Sequence, residues 1–135
     1  MYLAEKLDPQ PRYAIYYSPE AQTPLWSLGT GWIGRDALAD RLVEPRHAVA
    51  VTELERQALT ATPAHYGLHA TMKAPFQLRN GYGYEDLRQH MLEFCGRRRA
   101  FSLPRLVLKN MDDFVALVAQ SPSESLNRLA QDCVE

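Results

Sequence analysis

The chain has few of the features that mark specialised classes of protein. Its two cysteines, Cys95 and Cys133, stand outside any CxxC spacing, so neither a zinc site nor a disulfide framework is indicated. The longest uninterrupted apolar run, Phe114 to Ala119, is too short to cross a membrane, and the first ten residues lack the basic and apolar segments of a signal peptide. We therefore expect a cytoplasmic protein with no membrane partner.

No excess of one charge is present either. The chain has 15 Lys and Arg against 16 Asp and Glu, a formal net charge of -1, so it has no general attraction for nucleic acid or an anionic surface. Its 135 residues, 46% of them hydrophobic, are enough for one sizeable core and too few for two. We expect a single domain over residues 1–135, with any anionic ligand held by a local site.

The pattern of apolar residues predicts an α+β fold with a mostly antiparallel sheet packed with helices. β-favouring residues bounded by turn signals predict four strands. These are "RYAIYYS" (12–18), a stretch from about 67 to 78, "FSLPRLVLKN" (101–110) and "DFVALVAQ" (113–120). Pro104 indicates that the third of these strands is an edge strand or contains a bulge.

Capping residues and apolar spacing predict four helices. The first lies between residues 20 and 28, with Pro24 in its first turn, and the second follows the capping-box pair Thr52 and Glu55. The third covers "EDLRQHMLEFCGRRRA" (85–100), and the last follows Ser121 with Pro122 in its first turn. "GTGWIGRDA" (29–37) is predicted to be a loop.

One strand carries the residues with the most chemistry. In "YGLHATMKAPF" (66–76), alternation places His69, Thr71 and Lys73 on one face of the strand. An imidazole can transfer a proton near neutral pH, a hydroxyl can donate to a phosphoryl oxygen, and an ammonium can offset the charge of a phosphate. The alternative is a half-buried strand whose polar face is simply solvated.

Three other segments allow two interpretations each. "GTGWIG" (29–34) has the spacing of a dinucleotide-binding loop, but Pro24 interrupts the strand that should precede it, which favours a structural or substrate-side loop. "RRR" (97–99) could bind nucleic acid, although its place at a helix end favours stabilisation of the helix dipole. Tyr82 and Tyr84 could stack on a base or only pack within their loop.

"YGLHATMKAPF", together with "RYAIYY" and "WIGRDA", resembles the 2H phosphoesterase superfamily, and in particular a bacterial family met beside phosphonate-degradation genes. The resemblance implies two pseudo-symmetric lobes, each with an H-x-T or H-x-S motif facing a central groove where a cyclic phosphodiester is opened without a metal or other cofactor. It implies that His69 and Thr71 are catalytic. Lys73 would contact a small phosphorylated substrate. Arg35 and Tyr66 could contact it too, although a lone loop arginine is more often solvated and a residue beside the motif strand, such as Tyr66, is more often architectural.

The chain differs from this two-lobed arrangement because its sequence contains one H-x-T motif and no second H-x-T or H-x-S motif. His47, His65 and His90 are each followed, two residues on, by an apolar residue or glycine rather than Ser or Thr. Since the last helix also lacks a terminating signal, we expect the chain to be the N-terminal lobe of a longer protein. The second hypothesis is a non-catalytic module that binds a phosphorylated metabolite or, less favoured, an RNA end. An uncovered apolar surface would make the fragment self-associate.

Overall fold

The computed structural model describes residues 10–44 and 50–135; the opening segment and His47 lie outside the described residues. Within that part the fold is α+β, as predicted. The four helices are α1 (Pro24–Ile33), α2 (Glu53–Thr60), α3 (Tyr84–Gly96) and α4 (Glu124–Val134), with a short 3-10 helix at Pro63–His65. None of the helices of the described part is long and apolar enough to cross a membrane.

The described strands are β1 (Arg12–Tyr17), β2 (Arg35–Asp36), β3 (Arg41–Leu42), β4 (Ala70–Gln77), β5 (Leu106–Met111) and β6 (Phe114–Ala119). They form three two-stranded sheets rather than one larger sheet: β1 with β4, β2 with β3, and β5 with β6. The β2–β3 and β5–β6 pairs are antiparallel.

Contacts divide the chain into two compact units. The first, here called the histidine unit, comprises residues 16–44 and 50–71 of the described chain. The second, here called the hairpin unit, contains Met72–Glu135 together with residues 10–15 of the described chain. Strands β1 and β4 each contribute residues to both units.

In the histidine unit, α1 is longer than its sequence predicts. The Thr23 side chain accepts a hydrogen bond from the Trp26 amide at 3.3 Å, and Pro24 stands in the first turn as expected. The helix then continues through residues 29–33, so the predicted loop is wrong there. Gly29 has a packing reason within this helix, because a Cβ at this position would lie 2.2 Å from Leu68 Cδ2. The glycine permits helix–side-chain packing and does not belong to a phosphate-binding loop.

Helix α2 begins with the predicted capping box. The Glu55 amide donates to Thr52 Oγ1 at 3.3 Å, and Glu55 Oε2 accepts from the Thr52 amide at 2.9 Å. Arg56 is only 5% exposed and is satisfied by Glu53 Oε1 at 2.6 Å and by the Trp32 carbonyl at 2.8 Å. This buried guanidinium therefore joins α2 to the C-terminal end of α1.

In the hairpin unit, α3 ends where the three arginines begin. Arg97 is the C-cap residue, consistent with the interpretation of "RRR" as a helix-end feature. Arg98 also pairs with Asp132 of α4 at 2.7 Å and lies 3.7 Å from the centroid of the Phe94 ring. These contacts connect the end of α3 to α4.

Two boundaries in this unit differ from those predicted. Strand β5 begins at Leu106, after Pro104, because proline cannot donate to the ladder that pairs β5 with β6. Helix α4 is capped by Ser123, not Ser121: the Ser123 side chain accepts from the Leu126 amide at 3.3 Å. Pro122 consequently lies outside the helix. The β5–β6 hairpin leaves Leu108 75% exposed and Val115 65% exposed; self-association of the chain stays a prediction.

Candidate catalytic site around His69

His69 stands immediately before β4 and is half-buried in the histidine unit. The turn that leads to it is closed by the Gly67 amide, which donates to the Pro63 carbonyl at 2.9 Å. Gly67 has a φ of 72°, and a Cβ built there would lie 2.5 Å from the Cβ of Ala37. Only glycine meets both requirements without strain or displacement of its neighbour. The segment around Ala37 thus limits the shape of the turn before His69.

The imidazole of His69 is held by that turn. Its Nδ1 lies 2.9 Å from the Gly67 carbonyl oxygen. A carbonyl oxygen can only accept, so in this hydrogen bond Nδ1 carries the hydrogen. In the neutral ring Nε2 then has the free lone pair. The turn thereby selects the tautomer in which Nε2 can act as a base.

Two tyrosine rings lie beside the imidazole. The Tyr16 ring centroid is 4.1 Å from that of His69, with 31° between the ring planes, and the Tyr66 centroid is 5.9 Å away. Both tyrosines are partly open to solvent, at 39% exposed for Tyr16 and 54% for Tyr66. These contacts restrict rotation of the His69 ring and leave phenol groups at the surface around it. Tyr16 was not singled out by the sequence; its only signal was its place in the "RYAIYY" strand.

Thr71 is exposed near the start of β4. It stands two residues beyond His69, the separation at which extended chain directs side chains to the same side. None of the hydrogen bonds found in the described part of the chain involves the Thr71 hydroxyl. That hydroxyl is therefore free to donate to a ligand.

Arg35 is partly engaged within the histidine unit. Its Nη1 donates to the Ala64 carbonyl at 3.2 Å, and its Nη2 pairs with Asp40 at 2.5 Å. Arg35 therefore supports the 3-10 helix that precedes His69. A guanidinium has five N–H donors, so donors remain beyond these two bonds.

Lys73 belongs to the hairpin unit. Its Nζ donates to the Val134 carbonyl at 2.9 Å and lies 5.1 Å from the centroid of the Phe76 ring. An ammonium at the C-terminal end of a helix is stabilised by the helix dipole, so Lys73 supplies to α4 the terminating cation that the helix itself lacks. Its predicted contact with substrate stays a prediction.

The other described histidines stand apart from this arrangement. The His65 ring makes an edge contact with Tyr66 at 6.4 Å, and His90 lies on the exposed face of α3 with Nδ1 2.7 Å from the Asp86 carbonyl. Neither is followed by the hydroxyl residue of a second motif. Among residues 10–44 and 50–135, no cluster of three or more His, Cys, Asp or Glu side chains could hold a metal ion.

The chain is similar to two curated proteins, and part of it matches the model of one protein family. Both relatives are named ribose 1,5-bisphosphate phosphokinase PhnN. The protein from Janthinobacterium sp. (strain Marseille) is 33% identical over 123 residues, which is 91% of this chain and 27% of that protein. The protein from Laribacter hongkongensis (strain HLHK9) is 32% identical over 119 residues, 88% of this chain and 28% of that protein. The chain thus spans roughly a quarter of the length of each.

A model of the family described as protein of unknown function, DUF1045, matches residues 71–135, from Thr71 to Glu135. No solved structure matches the chain. The family match covers just under half of the chain, whereas the similarity to the PhnN-named relatives extends over most of it.

Proposed function

We propose that this chain contributes one lobe of a metal-independent phosphoesterase of the 2H type, in which His69 is the general base. The observation that carries the proposal is the 2.9 Å contact between His69 Nδ1 and the Gly67 carbonyl, which leaves Nε2 as the proton acceptor. The free hydroxyl of Thr71, two residues further on, supports the same function. The bilobal architecture and the assignment of residues 1–135 to one of its domains belong to this proposal.

The proposed reaction opens a cyclic phosphodiester. His69 Nε2 removes a proton from water, and the water oxygen forms a new bond to phosphorus. The bond from phosphorus to one ring oxygen breaks, and that oxygen receives a proton from a second group on the opposite side, leaving a phosphate monoester. Thr71 donates to a non-bridging oxygen as negative charge develops. One histidine cannot act on both sides of the phosphorus, so the acid comes from a second H-x-T or H-x-S motif outside this sequence.

We propose a small sugar phosphate or nucleotide as the substrate, used in phosphonate metabolism. The relatives' name refers to a phosphorylated ribose, which supports a pentose phosphate over other phosphoesters. Kinase activity itself is not carried over, because the chain spans only about a quarter of each PhnN-named relative. These 135 residues contain no G-x-x-x-x-G-K-S/T motif, the loop that cradles nucleotide phosphates in P-loop enzymes, and their glycine-containing segment 29–33 is helical.

We also propose contacts to the substrate from groups near His69 that internal hydrogen bonds leave free. Tyr66 offers an exposed ring and phenol beside His69. Arg35 retains N–H donors after its internal hydrogen bonds, and we propose that these reach the phosphate or sugar. The contact of Lys73 with substrate stays a prediction.

Turnover by the complete gene product tests the proposal. ³¹P NMR would follow hydrolysis of ribose cyclic phosphates and nucleoside 2′,3′-cyclic phosphates by the wild type and by His69→Gln. His90→Gln is the matched control, because the His90 Nδ1 also lies against a backbone carbonyl but on an exposed helix face. We expect a rate loss of about 100-fold or more in His69→Gln and none in His90→Gln. Equal hydrolysis by wild type and His69→Gln would remove His69 from the mechanism.

A non-catalytic module for a phosphorylated metabolite or an RNA end is the second candidate. The observation that favours it is the single H-x-T motif, which supplies a base and a hydroxyl but no acid. Calorimetry with sugar phosphates and short RNA distinguishes the two functions. Binding by a complete gene product that turns over none of the cyclic phosphates would favour the module.

A further inference from the structure

A cavity of about 280 Å³ lies in the hairpin unit, at the turn that leads into helix α3. The residues that matter for its chemistry are two tyrosines, an arginine and two side-chain amides: Tyr13, Tyr82, Arg79, Gln10 and Asn80. All of them lie outside the His69 site. We propose that this cavity binds a nucleoside monophosphate, with the phosphate on Arg79 and the base against the tyrosine rings.

Arg79 is the anchor for the anion. It is exposed at the rim, and in the part of the chain that the structure describes no hydrogen bond or ion pair occupies its guanidinium. The first turn of the neighbouring helix α3 carries two carboxylates, Glu85 and Asp86, and Asp86 Oδ2 accepts from the Gly83 amide at 2.8 Å. These negative charges offset the attraction of the helix N-terminus for an anion, so the guanidinium is the group that takes a phosphate, and a bidentate pair is its preferred geometry.

The two tyrosines offer ring surface for a base. Tyr13 is half-buried and packs against Phe76, with 6.4 Å between the ring centroids, so its position is fixed. Tyr82 is 59% exposed and can turn its ring toward an occupant. Stacking of this kind accepts any base, because every base has a π-face. This gives Tyr82 a role beyond packing within its loop.

The two side-chain amides, of Gln10 and Asn80, provide a hydrogen-bond donor and an acceptor for the ligand. Gln10 Nε2 donates to Asn80 Oδ1 at 3.3 Å, which leaves the Gln10 oxygen as an acceptor and the Asn80 nitrogen as a donor. A donor beside an acceptor suits the edge of a base or a pair of ribose hydroxyls. The volume lies just below the usual range for ligand cavities, about 300–1,000 Å³, so a mononucleotide is favoured over a nucleic acid strand.

Calorimetry on this chain with AMP, adenosine, ribose 5-phosphate and inorganic phosphate tests the proposal. AMP should bind about tenfold or more tightly than any of the other three. Arg79→Gln should weaken AMP about tenfold and leave adenosine unchanged, whereas Tyr82→Leu should weaken both about tenfold and Tyr82→Phe neither. Arg97→Gln and Tyr84→Phe change the same residue types outside these contacts and should bind AMP like the wild type.

A second measurement separates this cavity from the proposed catalytic site. In ¹H–¹⁵N spectra, AMP should shift the amides of residues 79–83 and not those around His69. AMP binding no tighter than that of phosphate, unchanged affinity in Arg79→Gln, or shifts confined to the His69 turn would each overturn the proposal. Because the readout is binding, its failure is distinguishable from failure of the phosphoesterase reaction.

Discussion

Replacing Gly67 by alanine should destabilise the histidine unit by a magnitude that the geometry allows us to estimate. At a φ of 72° an alanine costs about 1–2 kcal/mol relative to glycine. Its Cβ would stand 2.5 Å from the Cβ of Ala37, and relieving such overpacking costs about 1–3 kcal/mol more. We expect urea titration to show a loss of about 2–5 kcal/mol in the free energy of unfolding, with the denaturant slope unchanged.

The two contributions can be separated by a compensating substitution. Ala37→Gly removes the methyl group that the new Cβ would meet, and Ala37 is itself exposed. The double variant should recover the steric part, about 1–3 kcal/mol, and retain the backbone strain. A Gly67→Ala variant that loses less than about 0.5 kcal/mol, or a double variant that recovers nothing, would refute this reasoning.

Three further substitutions or reactions test the surrounding structure. Lys73→Met removes the cation from the end of α4, so amide hydrogens of its last turn should exchange about two- to fivefold faster, for a loss of about 0.3–1 kcal/mol. Hydrogen bonds from Thr52 lower the pKa of Glu55, and Thr52→Ala should raise it in a carboxyl NMR titration. Because the folded pKa is the lower one, the stabilisation from Glu55 is present above the unfolded pKa and is lost as the pH falls through the folded pKa. Burial raises the pKa of the Cys133 thiol, so iodoacetamide should modify exposed Cys95 first at neutral pH.

Each of these expectations has a contradicting result. Lys109→Met, at an exposed position of β5, is the control for Lys73→Met; equal exchange in the two variants would remove the role of Lys73 at α4. An unchanged Glu55 titration in Thr52→Ala would contradict the capping box. Faster alkylation of Cys133 than of Cys95 would contradict the burial of Cys133.

Features set by neighbouring residues were predictable from the sequence. Pro24 in the first turn of α1 and the pair of Thr52 and Glu55 depend on chemistry within one helical turn, and both stand where that chemistry requires. The α+β class followed from apolar spacing in the same way. The cap of α4 was predicted at Ser121 and lies at Ser123, a residue of the same type two positions further on that is an equally competent cap.

Features set by distant residues were not predictable. Gly29 lies within helix α1, at a position where a Cβ would collide with Leu68, a residue from a segment far away in the chain. The arrangement of the candidate site also depends on contacts between residues far apart in the chain. The sequence proposed His69 as a base, but the contact of Tyr16 with its ring depends on how the segments of the histidine unit pack. The Ala64 carbonyl that Arg35 contacts and the Val134 carbonyl that Lys73 contacts likewise belong to segments remote in sequence.

The tautomer of His69 is the most direct test of its proposed role as a base. ¹⁵N NMR of the imidazole nitrogens in the labelled chain, with the ring neutral, reports which nitrogen carries the hydrogen. We predict hydrogen on Nδ1, held by the Gly67 carbonyl at 2.9 Å, with Nε2 unprotonated. Hydrogen on Nε2 in the folded chain would contradict the account, because the turn before β4 would then not present the nitrogen that accepts the proton from water.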